Sequence, residues 1–349
     1  GPTLKGPAGI PTVVTSFSDF QTKFGDVVKS GSNSFQYLTS HAAEEYLKSS
    51  NTLTVVRILD GTFSPATATI TASLSGAGTS VSSSFTLETF GDGTIMNNAS
   101  PVVTTNNILT SGSVHNVRYE ISNVNNSKGT FTLLIRAGND NIKRKQILET
   151  FTNINLDPNS NNFISKVIGD QKQNVGTDGT TKYLELSGSF PRKSNFVRVK
   201  SVLRPTIDYL DENGSVRVPA ASSSLPAAGS GSGHGGFTGG DNGHIGFDGM
   251  GNIGGVDAAT GSAINFYENI DTQTQGFSPT DLTTADGGAA YSEAIDLLAN
   301  QDEFDINLIL APGLIHSKHT AVTNKIIDTC ENRGDCFAII DPVVYAKNP

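Results

Sequence analysis

Apolar residues first recur at helical spacing near the amino end. In SFSDFQTKFG, 16–25, Phe20 and Phe24 stand four apart. Ser16 or Ser18 is placed to cap that segment and Gly25 to end it, so a short helix is expected. Residues 34–48 set Phe35, Leu38, Ala42, Tyr46 and Leu47 on one stripe, which predicts a second helix. TLTVVRIL, 52–59, is too densely β-branched for a half-exposed strand and predicts a buried one.

At Asp60-Gly61 the period drops to two. TATITASL (67–74), SSFTLETF (83–90), HNVRYEIS (115–122), GTFTLLIR (129–136), KYLELSG (182–188) and NFVRVKSVL (195–203) alternate or nearly so. Turn residues lie between them: GDG at 91–93, NNSKG at 125–129, GTDG at 176–179 and DENG at 211–214. The pattern predicts antiparallel sheet, with one helix around 158–170. Residues 221–263 are rich in Gly and Ser, with too little apolar surface to offset ordering entropy, and predict a long loop that is mobile over at least part of its length.

Helical spacing then returns. Ala290, Ala294, Leu297 and Leu298 mark one side of a helix at 289–300. FDINLILAP (304–312) and CFAIIDP (336–342) read as buried strands. Between them, Val322, Ile326 and Cys330 line a helix over 317–334 that Gly334 ends. A parallel pair with a helical crossover is the expected geometry. The fold class read from this order is α+β and multidomain. A discontinuous α/β domain would comprise 1–60 plus 264–349. Residues 61–220 would form an inserted antiparallel β-rich region, sandwich- or barrel-like, with an optional division into two modules near 110. Residues 221–263 would be the flexible loop.

Composition narrows the function classes. The net charge of −9 disfavours a phosphate backbone as partner. No apolar run approaches the roughly 20 residues that span a bilayer. With only Cys330 and Cys336 in 349 residues, a disulfide framework is not expected; two reduced thiols, at least one in the core, are. The chain opens GPTLKGP without Met and stops at AKNP just after a strand. Both ends read as cuts, so a fragment is expected; whether Gly1-Pro2 is native or a cleavage scar is open.

Candidate chemistry is sparse. His316 and His319 stand three apart without a third ligand at a supporting spacing, and read as solvent-facing residues at a helix start. Cys330 and Cys336 lack the spacing of a zinc or redox pair. Arg333-Gly334-Asp335 spells an adhesion tripeptide, yet helix termination explains each member: Arg333 at the negative end, Gly334 as the stop, Asp335 opening the connection. The Gly-rich 229–255 lacks the Lys of a phosphate loop and the period of a calcium repeat. No nucleophile elbow, HExxH or dinucleotide fingerprint occurs. No catalytic, cofactor-binding or metal-ligating residue is assigned, no cofactor is expected, and the chain reads as no enzyme. An α/β hydrolase or transferase would need convergent polar groups near Pro312–His319.

Five segments, taken in order, resemble the contractile tail sheath proteins of myovirus-type phages. They are KGPAGIPTVVTSFSDFQTKFGD (5–26), HAAEEYLKSSNTLTVVRILDG (41–61), FTLLIRAGNDNIKRKQILETFTNINLDPNSNNFISKVIGD (131–170), GGFTGGDNG (235–243), and AAYSEAIDLLANQDEFDINLILAPG (289–313) running on through ENRGDCFAIIDP (331–342). Residues 62–115 and the Gly/Ser loop are unmatched. The resemblance implies a structural subunit that polymerises around a tail tube. Contraction then drives the tube through a host envelope for genome delivery, with subunits exchanging interfaces as near-rigid bodies. It implies other sheath subunits, tube and baseplate as partners, without nucleic acid or membrane insertion. The place is the virion tail, after assembly in host cytoplasm. It also implies that terminal arms and a C-terminal region are missing here, so that this fragment is monomeric. A β-rich surface adhesin or receptor-binding virion protein is the alternative.

Overall fold

The computed structural model describes residues 1–30, 33–73, 83–98, 106–179, 181–228, 233–243, 277, 279–284 and 287–343. Strand β1 (Thr12–Val14) leads into helix α1 (Phe17–Phe24). Ser16 caps α1 by accepting from the Asp19 amide, and Gly25 ends it at φ 74°. Phe20 and Phe24 are fully buried, their rings 5.5 Å apart.

The second helix starts later than its stripe predicts. Strands β2 (Val27–Ser30) and β3 (Asn33–Gln36) form a hairpin, so α2 spans Leu38–Leu47. Cross-strand bonds to the Val27-Val28 run satisfy a backbone that would otherwise have supplied a first helical turn. Strand β4 is short, Leu53–Val55, and antiparallel to β1, but the chain stays buried from Val55 through Asp60.

The period-two region forms β5 (Phe63–Thr71), β6 (Ser83–Asp92), β7 (Val117–Asn125), β8 (Thr130–Ala137) and β9 (Ile147–Asn155). Helix α3 (Ile164–Ile168), the hairpin β10 (Lys172–Asp178) with β11 (Thr181–Ser187), and β12 (Val197–Val202) follow. Part of the Gly/Ser-rich stretch expected to be a mobile loop supplies sheet instead, as β13 (His234–Gly235) and β14 (Asp241–Asn242). Phe237 between them and Leu225 before them are fully buried anchors that composition alone conceals. Residues 244–263 of that stretch lie outside the described residues. Two four-stranded sheets result, ordered β12-β6-β5-β14 and β13-β7-β8-β9. Their inner faces share one hydrophobic cluster, in which Phe85 of β6 stacks on Phe131 of β8 at 5.7 Å. There is no closed barrel among the described strands.

Polar groups lie buried in this β region as well. Arg118 of β7 and Arg136 of β8 face each other across the ladder, a juxtaposition of like charges that is unfavourable unless neutralised. Asp140 does this, gripping Arg136 through two 2.7 Å bonds and lying 3.4 Å from Arg118, with both its carboxylate and the Arg118 side chain fully buried. Glu120 adds a 2.6 Å bond to Arg136 and another to Lys145.

The last elements are α4 (Gly288–Leu298), β15 (Leu308–Ile315), α5 (Thr320–Arg333) and β16 (Phe337–Asp341). Strands β15 and β16 pair in parallel, with Leu308 opposite Phe337 and Leu310 opposite Ile339. Ile309 joins a cluster that includes Tyr291, Ala294, Val322, Ile326 and, from far upstream, Val56 and Ile58. The expectation that both strands are buried fails on one face. Phe337 is 76% exposed and Leu308, Leu310 and Ile339 are between 40 and 53% exposed, because α4 and α5 cover only the other side of the pair.

Candidate functional site: a cleft between two sheet edges

Strand alternation shows what lies between β4 and β15. The Gly1 amine donates to the Val56 carbonyl at 3.0 Å, and the Ile58 amide donates to the Gly1 carbonyl at 3.1 Å. On the opposite edge the Gly9 amide donates to the Arg57 carbonyl. Main-chain groups of even-numbered residues in this run therefore face away from β1, and Thr54 and the Val56 amide share that edge, along which β4 pairs with no other strand among the described residues. On β15, the Asn307 carbonyl accepts from Phe337 of β16, so Leu308 and Leu310 present their main-chain groups away from β16.

These two edges border a cleft of about 350 Å³. Successive residues of β4 point to opposite faces. Val55 clusters with Ala43 of α2, whereas Val56 clusters with Tyr291, Ala294 and Ile295 of α4. The cleft is thus roofed by α2 and floored by α4. Its lining is apolar apart from a few groups. Thr39 Oγ1 and Tyr291 Oη are buried, and neither has a hydrogen-bond partner among the described residues. Burial pushes the Tyr291 hydroxyl well above the usual phenol range. It also pulls the Gly1 amine down to about 5.

One buried cation holds the wall of the cleft. Arg57 is fully buried and donates to the carbonyls of Gly6 and Asp92, both at 2.8 Å, and of Thr3 at 3.2 Å. It thereby ties the amino-terminal segment to the end of β6. Burial lowers its guanidinium to about 10, partly offset by the Asp92 charge. The Asp92 carboxyl accepts from the Ala8 amide at 2.9 Å and is itself raised by burial, against that bond and the Arg57 charge.

The histidine loop is not part of this cleft, whose lining passes from Pro312 to Ile326 without it. The reading of His316 and His319 as solvent-facing is overturned for His319, while His316 is half-buried. His319 is buried, and its Nδ1 accepts from the Ile315 amide at 3.0 Å, which closes the turn into α5. His316 Nδ1 lies 2.8 Å from Thr323 Oγ1. Both imidazoles are occupied with local backbone and side-chain bonding. Among the described residues no group of three His, Cys, Asp or Glu is placed to hold a metal ion. No helix there is long and apolar enough to cross a membrane.

Arg333-Gly334-Asp335 terminates α5. Gly334 adopts φ 74° and donates to the Cys330 carbonyl. Arg333 is buried, donating to the carbonyls of Leu298 and Phe304 and forming a paired 2.9 Å contact with Asp335. That guanidinium is committed inside the molecule. Cys330 and Cys336 are both buried and free. Burial and the neighbouring Cys336 push the Cys330 thiol up to about 12.

Sequence reasoning assigned no residue to the cleft. Thr39 and Tyr291 were each legible as a polar residue beside an apolar stripe. The convergence of elements from 1–58 and 291–326 was not written locally.

No family model and no curated protein matches the chain. Solved structures of two sheath tail proteins are similar to it. The one from Listeria innocua is 12% identical, covering 95% of this chain and 42% of its own, with a TM-score of 0.40. The one from Desulfitobacterium hafniense is 12% identical, covering 88% of this chain and 47% of its own, with a TM-score of 0.29. The chain spans less than half the length of either.

Proposed function

We propose that this chain is part of a structural subunit of a contractile tail sheath. The observation that carries the reading is the ordered sequence resemblance of five segments across 5–342. The clustering of Val56 and Ile58 with residues from 277 to 336 supports it, since a subunit with an outer β insertion needs its two ends to share a core. On this reading 1–60 and 264–349 form the sheath-core domain and 61–220 the outer insertion. The intact protein polymerises around a tail tube, contracts on a baseplate signal and contributes to genome delivery, while this chain alone stays monomeric. The subunit works as a mechanical part, by exchanging interfaces rather than by catalysis.

Negative-stain electron microscopy of the intact protein, concentrated alone, tests the reading. Tubes or stacked rings with a hollow centre are expected. Dispersed globules at several salt concentrations would count against it and move weight to a β-rich adhesin. Adhesion through Arg333-Gly334-Asp335 is disfavoured by the burial of Arg333. Light scattering of this chain at micromolar concentration is expected to report a monomer.

A further inference from the structure

The buried arginine pair of the β region rests against a histidine. His234 of β13 is buried and stands opposite Glu120 of β7 in the ladder. Its Nδ1 is 3.2 Å from Arg118 Nη2, and its Nε2 is 2.5 Å from the Asn107 carboxamide. A guanidinium can only donate, so Nδ1 must carry a lone pair and the ring proton sits on Nε2. The Asn107 carboxamide, turned with its oxygen inward, accepts that proton. Arg118 uses the ring as an acceptor. It also donates to the Asn107 carbonyl and lies against Asp140, while its Nε is buried without a partner among the described residues. Charge balance requires the same neutral ring. The charged groups around it, among the described residues, are Arg118 and Glu120 on β7, Arg136 on β8, and Asp140 and Lys145 beyond β8. Two carboxylates already serve three cations. A proton on Nδ1 would add a fourth, 3.2 Å from a fully buried guanidinium.

We propose that His234 is an acid-sensitive latch: neutral, it holds β13 against β7, and protonated it lets residues 233–235 leave the sheet edge. Little else fastens this piece of chain. The Ile121 amide donates to the Gly233 carbonyl at 2.5 Å, and the ladder continues only through His234 and Gly235. The next residues are anchored independently, since the Phe237 amide donates to Asn98 Oδ1 at 2.7 Å and the Phe237 side chain is fully buried. Opening therefore stays local and bares the outer edge of β7. The folded site excludes a proton that the released ring takes up. The latch is thus held above the ordinary histidine value and weakens as pH falls below it. It acts within one chain and does not depend on the sheath reading.

The test follows amide exchange of the full chain between pH 7 and pH 5, corrected for the intrinsic pH dependence of exchange. The Ile121 amide reports the latch, and those of Leu133 and Ile135 in β8 report the rest of the sheet. A ring that titrates at about 6.5 when released, and not at all in place, raises the opening constant about 25-fold over that interval. Ile121 should lose protection about tenfold or more, with Leu133 and Ile135 unchanged. His234→Gln keeps one acceptor and one donor but cannot titrate, and should abolish the pH dependence at Ile121. If that variant leaves Ile121 open at every pH, the imidazole nitrogen shifts of the parent decide. They should show a proton on Nε2 alone at pH 7. Protection at Ile121 that does not change with pH in the parent overturns the proposal. So does the same pH dependence in His234→Gln, a proton on Nδ1 at pH 7, or a ring that titrates at its ordinary value while Ile121 stays protected.

Discussion

Replacing Arg57 with Ala should loosen the amino-terminal segment without dissolving the β region. The guanidinium makes two 2.8 Å bonds and one of 3.2 Å to main-chain carbonyls, in a side chain with no solvent exposure. Hydrogen bonds to a charged group contribute about 1.5–3 kcal/mol each, while removing the cation also relieves a desolvation cost of several kcal/mol. The net loss should be about 3–5 kcal/mol. The chain has more than one core, so a single unfolding midpoint is a poor readout. Native-state amide exchange is local. The amides of Gly9, Ile58 and Asp92, bonded to Arg57, Gly1 and Gly6 respectively, report the clamp directly. They should exchange about a hundredfold faster or more. Acid should narrow the gap. Asp92 is raised in the folded chain, so its contribution is greatest below the unfolded carboxyl value and is lost as pH rises through the folded one. Without Arg57 its carboxyl rises further, so the variant's deficit should shrink from pH 7 toward pH 4, and Asp92→Asn should recover part of it at neutral pH. Exchange within tenfold of the parent at all three amides would refute the clamp.

Asp140→Ala removes the carboxylate shared by two buried arginines and should cost about 3–5 kcal/mol, read as faster exchange in β7 and β8; equal stability would show that the Glu120 and Asn107 bonds to Arg136 and Arg118 suffice. Burial would raise Glu120, but the Lys145 bond and the Arg136 charge outweigh it and hold its carboxyl low. Its stabilisation is therefore present above the ordinary Glu value and lost as pH falls through the lowered one. Glu120→Gln should flatten the acid limb of the stability profile, checked by amide protection in β7 and β8 from pH 3 to 7. Gly169 adopts φ 100° with its missing Cβ aimed at the Arg192 backbone, 2.3 Å from Cα. Gly169→Ala should thus destabilise by about 2 kcal/mol or more, seen in the same exchange experiment at α3. The Cys330 thiol, raised by burial, should resist Ellman's reagent at pH 8 until denaturant is added; immediate labelling would contradict its packing.

Local grammar was readable where one residue type has one physical use. Ser16 and Gly25 bracket α1, Gly334 stops α5, and the alternating runs became strands because a half-buried ladder demands that period. Reading failed where the partner is distant. The 34–36 segment carries the start of a helical stripe but pairs with β2, and Phe237 is a core anchor inside a stretch whose composition reads as linker. Arg57 sits inside the apolar run TLTVVRIL, which gives no local sign of its role. Its role exists only because Thr3, Gly6 and Asp92 arrive around it. The segments 304–312 and 336–342 read as buried strands, and one face of the pair is open. The cleft was illegible for the same reason, since its walls come from opposite ends of the sequence.

The bond from the Gly287 amide to the Asp60 carboxylate, 2.7 Å long, spans 227 residues. At roughly 5–20 residues per second on a ribosome, its acceptor waits about 10–45 s for its donor to emerge. During that interval Val56 and Ile58 have no partner from the later half of their cluster. The β region, whose cluster among the described residues draws on none beyond Phe237, can close first. It then holds the two halves of the other core near one another, which shortens the effective loop to be closed. Order of synthesis thus lets the β cluster form before the cluster that joins Val56 and Ile58 to residues 277–336 can be completed.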